Sequence, residues 1–79
     1  MAGPATTGLA ADFRARIGDL GVRVPVKADR EQPGYIIGAD GTRVAGVAAR
    51  SLGLDADKAL KLAESIAAAI NWYAGVERK

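Results

Sequence analysis

The apolar positions of the chain change period twice. Leu9, Phe13, Ile17 and Leu20 recur at intervals of four, four and three, which draws a single stripe along a helix. Thr7 is placed to cap that helix and Gly21 to end it in the left-handed conformation. Phe13 to Ile17 also alternates as a strand would, with Gly18 to Gly21 as a turn, but the four-residue spacing extends further and favours the helix. Val22, Val24 and Val26 then alternate with Arg23, Pro25 and Lys27, the period of a half-buried strand. Pro25 has no N–H for a ladder bond, so this strand is expected at a sheet edge.

A polar loop over 28–34 leads to the strongest local signal. Tyr35-Ile36-Ile37-Gly38 and Arg43-Val44-Ala45-Gly46-Val47 flank Asp40-Gly41, a pair suited to a two-residue type I′ turn. That turn sets Ile37 opposite Val44, Ile36 opposite Ala45 and Tyr35 opposite Gly46, where the ring covers bare backbone. Asp55 is a good N-cap for a long helix running to about Gly75. At 100° per residue, Ala56, Leu60, Ala63, Ile66, Ala67, Ile70 and Ala74 form its inward arc. The expectation is an α+β fold: an N-terminal helix, a three-stranded antiparallel sheet and a long C-terminal helix on one face. A disordered lead-in over 1–7 precedes a single domain over 8–79.

Composition narrows the chemistry. A chain of 79 residues buries only roughly 60% of its unfolded surface, too little for a deep water-excluding cleft. Cysteine and histidine are both absent, which removes disulfides, thiolate nucleophiles and Cys/His zinc sites. No secretory pattern or membrane-length apolar run is present, so the protein is expected in the cytoplasm, of a bacterial host on the resemblance described below. The net charge of +2 neither requires nor excludes nucleic acid.

Asp55 with Asp57, or Asp29 with Glu31, are the carboxylate pairs nearest to an acid/base arrangement, but each sits beside lysine or arginine on an expected surface. Ser51 and Ser65 have no histidine to activate them, and Gly34 to Gly41 lacks the lysine and helix start of a phosphate loop. We therefore expect no catalytic residue, no metal site and no cofactor. A helix-turn-helix reading takes Ala49, Leu52-Gly53-Leu54 and Asp55 as the turn, with 43–52 helical and Lys58 and Lys61 facing DNA. Asp55 and Asp57 stand where phosphates would come, which weighs against it.

Two surfaces remain as candidates for binding a partner. On the long helix, Lys61, Ser65, Ala68, Ala69, Trp72 and Val76 lie opposite the core arc, and an outward indole among alanines suits an interface or a homodimer. Arg23, Lys27, Arg30 and Arg43 form a basic edge suited to an acidic partner or phosphates, although charge on an edge strand also guards against aggregation.

Tyr35-Ile36-Ile37, Ala39-Asp40-Gly41, Val44-Ala45 and Val47, followed by Ala63-Glu64-Ser65-Ile66-Ala67-Ala68-Ala69-Ile70-Asn71, resemble the small hairpin-plus-helix proteins encoded by phages and prophages. The resemblance covers 35–74. Some proteins of that kind are anti-CRISPR inhibitors that bind a Cas effector complex without catalysis. The resemblance thus implies a stoichiometric protein binder with a CRISPR-Cas effector subunit as partner. With a charge of +2 the chain does not fit the acidic DNA mimics among them.

Overall fold

The structure, a computed structural model, describes residues 2–76. Helix α1 spans Ala2–Asp19, β1 Lys27–Ala28, β2 Tyr35–Ile37, β3 Arg43–Gly46, α2 Ala49–Leu52 and α3 Ala56–Tyr73. The strands form one antiparallel sheet in the order β1-β2-β3, with α3 packed against β1 and β2. This is the α+β arrangement expected from the patterning. The helical backbone of α1 starts at Ala2, ahead of the cap position expected at Thr7, and so runs through the stretch expected as a lead-in. Met1 lies outside the described residues.

The first strand sits later than its valine pattern suggests. Val22, Val24 and Val26 do alternate inward with exposed Arg23 and Pro25, yet none of them joins the ladder. Backbone groups of this segment have other partners: Val22 N–H donates to Ile17 O at 2.9 Å, Ala39 N–H donates to Arg23 O at 2.7 Å, and the polar groups of Val26 go to Asn71. Pro25, in a cis peptide with Val24, supplies no donor. Pairing begins at Lys27, opposite Ile37, and Ala28, opposite Ile36.

In the β2–β3 hairpin Tyr35 faces Gly46 and Ile36 faces Ala45, as expected, but Ile37 faces Arg43 instead of Val44. The turn is not type I′. Asp40 has no positive φ, Gly41 N–H donates to Gly38 O, and Gly38 N–H donates to Thr42 O. Ala39, Asp40 and Gly41 thus make a three-residue loop in which only Gly41, at φ 86°, is left-handed. That loop sets Gly38 opposite Thr42 and so Ile37 opposite Arg43, and an irregularity between Ile36 and Ile37, where Val44 is passed over, returns the ladder to Ile36 opposite Ala45.

Asp55 caps α3 as its position predicts, its Oδ1 accepting from Lys58 N–H at 2.9 Å. The buried residues of α3 are Ala59, Ala63, Ala67 and Asn71, with Ala74 buried just after it, so the expected arc holds at Ala63, Ala67 and Ala74 and is shifted at its other positions. Ala56 and Ile66 are exposed, and Leu60 and Ile70 are only half-buried. Methyl side chains let the helix backbone approach the sheet, where Val26 and Ile36 complete the core, and the bulkier residues flank the seam. Ile36 is the only large side chain among the described residues to be wholly buried. The ten-residue helix that a helix-turn-helix needs over 43–52 is absent, because Arg43–Gly46 is strand and α2 has four residues.

Candidate functional site

The site is a groove between the outer side of β1 and the upper flank of α3, with a volume of about 1260 Å³. Its floor begins where Asn71 ties α3 to the chain just before β1. Val26 N–H donates to Asn71 Oδ1, and Asn71 Nδ2–H donates to Val26 O, both at 2.8 Å. One turn earlier on α3 are Ala67, Ala68 and Ala69, and Trp72 follows Asn71 at the rim. The opposite rim is Lys27 with the loop from Asp29 to Glu31.

That loop is held by its own hydrogen bonds. Asp29 Oδ1 accepts from Glu31 N–H at 2.9 Å and from Gln32 N–H at 3.4 Å, and Asp29 N–H donates to Tyr35 O. Asp29 therefore shapes the turn through its Oδ1. Arg30 reaches Glu64 of α3 at 3.6 Å, an exposed ion pair that links the two rims. With Lys27 and Arg30 set among Asp29, Glu31 and Glu64, the groove carries both signs of charge. A run of phosphates needs a surface of one sign, which this is not.

The two surfaces read from the sequence converge here. Lys27 and Arg30 from the basic edge and Ala69 and Trp72 from the helix line the same groove, and Trp72 is 56% exposed. Three other candidates lie elsewhere. Arg23 Nη1 donates to Gly18 O at 3.0 Å, at the end of α1. Arg43 lies 4.0 Å over the ring of Tyr35 and donates to Gln32 Oε1 at 2.7 Å. Lys61 pairs with Asp57 at 3.4 Å, one turn back along α3.

Asn71, Glu64 and Ile37 belong to the site and were not singled out by the patterning. For Asn71 a signal exists: it falls four residues after Ala67 in the row Ala59, Ala63, Ala67, so it continues the buried face with a polar side chain. Nothing local marks Glu64 or Ile37. At the hairpin tip, Asp40 has its carboxyl held below the ordinary value of 3.8, chiefly by the hydrogen bond from Thr42 N–H to its Oδ1 at 3.0 Å. Among the described residues no cluster of three or more acidic side chains is placed to hold a metal ion, and no helix is long and apolar enough to cross a membrane. No family model, curated protein or solved structure matches this chain.

Proposed function

We propose that this protein works without catalysis, by stoichiometric binding of another protein whose extended segment lies in the groove between β1 and α3. One observation carries the reading: an exposed indole, a row of alanines and an edge of β1 that no other described strand pairs share one concave surface. Asp29 N–H points toward β2, so strand alternation turns the backbone groups of Ala28 the opposite way, the same side as those of Val26. Asn71 occupies the groups of Val26 and leaves Ala28 facing the groove. A partner strand gains main-chain hydrogen bonds there, and its side chains meet Trp72 and the alanines. Indole anchors of this kind dominate binding energy at interfaces.

The narrower version, inhibition of a Cas effector complex in a bacterial cytoplasm, rests on the phage-like hairpin and helix over 35–74. Expression in a host with an active CRISPR system and a matching target tests it. Restored plasmid or phage entry, with Cas subunits copurifying, supports it; unchanged interference removes it. The broader reading is tested by capture with Ala69→Arg and Trp72→Ala, which alter the groove at exposed positions. A specific partner should be lost with both and kept by Lys61→Ala. Equal capture by all four proteins overturns the groove as the binding site.

A further inference from the structure

We infer that α1 is the contact helix of a symmetric dimer, pairing antiparallel with α1 of a second copy of this chain. Its apolar stripe is only half used within one chain. Phe13 meets the ring of Tyr73 edge-on at 4.9 Å, and Ala10 lies where a Cβ on Gly75 would reach it at 3.8 Å, so α3 covers the side of α1 that carries Ala10. Leu9 and Leu20, at the two ends of the stripe, remain 56% and 78% exposed.

The spacing of charges selects a second copy as the occupant. On a helix turning about 100° per residue, Leu9 and Arg16 fall on one strip, which Leu20 continues one residue past the end of α1; Asp12 lies on its flank, and Ala10 and Ile17 turn toward the side covered by α3. A two-fold axis at the level of Arg14 and Ala15 sets Leu9 against the partner subunit's Leu20 and brings Phe13 of both helices beside the axis. An isologous antiparallel pair keeps the same flank together, so Asp12 meets the partner subunit's Arg16, and each pair occurs twice. Within the described residues, neither Asp12 nor Arg16 has an ion pair in the single chain.

Sedimentation equilibrium of the full chain tests this. The expected mass is twice 8.1 kDa. Leu20→Asp, at an exposed position, should keep the helical circular dichroism and weaken dimerisation at least about tenfold. Asp12→Arg should weaken it as well, and Asp12→Arg combined with Arg16→Asp should restore it. A single-chain mass at the highest soluble concentration overturns the proposal. So does a dimer insensitive to Leu20→Asp, or one broken by Ala69→Arg instead. Ala69→Arg addresses the groove alone, so loss of partner capture and loss of the dimer are read separately.

Discussion

Asn71 and Val26 exchange two hydrogen bonds of 2.8 Å across 45 residues of sequence, one to each backbone polar group of Val26. The side-chain amide stands where the main chain of a neighbouring strand would stand, so the segment entering β1 is tied to α3 and not to a fourth strand. Both residues are buried, at 6% and 3% exposure, so neither bond has water as a substitute. The same pair sets the inner wall of the groove and fixes how much of the β1 edge stays open.

Replacing the amide should therefore cost more than its size suggests. Asn71→Leu leaves an N–H and a carbonyl buried without partners, and should lower the unfolding free energy by about 3 kcal/mol in urea titrations. Asn71→Asp should add a pH dependence. Its neutral form can still donate to Val26 O, while its carboxylate faces that carbonyl in a desolvated place, so burial raises its folded pKa. The stability of this variant should be greatest at low pH and fall as pH rises through that raised value.

The same pair explains what the sequence could and could not reveal. Asp55 and the flanks of Asp40-Gly41 are legible because capping and turn chemistry are local. The type of turn is less so, since a left-handed glycine after Asp40 serves a three-residue loop as well as a two-residue one. The valine alternation correctly marks extended backbone with Val26 inward, yet alternation says nothing of which backbone groups pair, and here Asn71 claims those of Val26. The helix face is legible at Ala63, Ala67 and Ala74, but close approach to the sheet puts Ala59 and Asn71 on it in place of Leu60 and Ile66. The groove is a tertiary fact: nothing in the sequence places Lys27 and Arg30 beside Ala69 and Trp72.

Two glycines should respond oppositely to alanine. A Cβ at Gly38 would meet Arg23 O at 3.1 Å and Arg23 N at 3.4 Å, backbone that is anchored by the bond from Ala39 N–H. Gly38→Ala should destabilise by about 1–3 kcal/mol through overpacking. Gly18 is in α1, has no positive φ and has open space around it. Gly18→Ala should stabilise by about 0.5–1 kcal/mol. Thermal unfolding of the two variants checks both signs.

The cap of α3 carries a smaller, separable contribution. Asp55→Ala removes the acceptor for Lys58 N–H and should cost about 1 kcal/mol. Asp55→Asn keeps an acceptor oxygen and should recover most of it. Because Lys27, Arg30 and Trp72 lie far along the chain from this cap, both variants should keep partner capture while folded.

Asp40 should make the hairpin tip sensitive to acid. Its carboxyl is held below the ordinary 3.8 mainly by the bond from Thr42 N–H, with a lesser attraction from Arg23. A lowered folded pKa means that the unfolded chain takes up the proton first as pH falls. The stabilisation is thus complete above the ordinary carboxylate range and is lost as pH drops through the folded value. An NMR titration of the Asp40 side-chain carboxyl should place its midpoint below 3.8, with the Thr42 amide resonance moving along the same curve. Asp40→Asn should remove that transition, and in this variant the Thr42 amide should stay flat across the acid range. A midpoint at or above the ordinary value would mean that Thr42 does not hold the carboxylate.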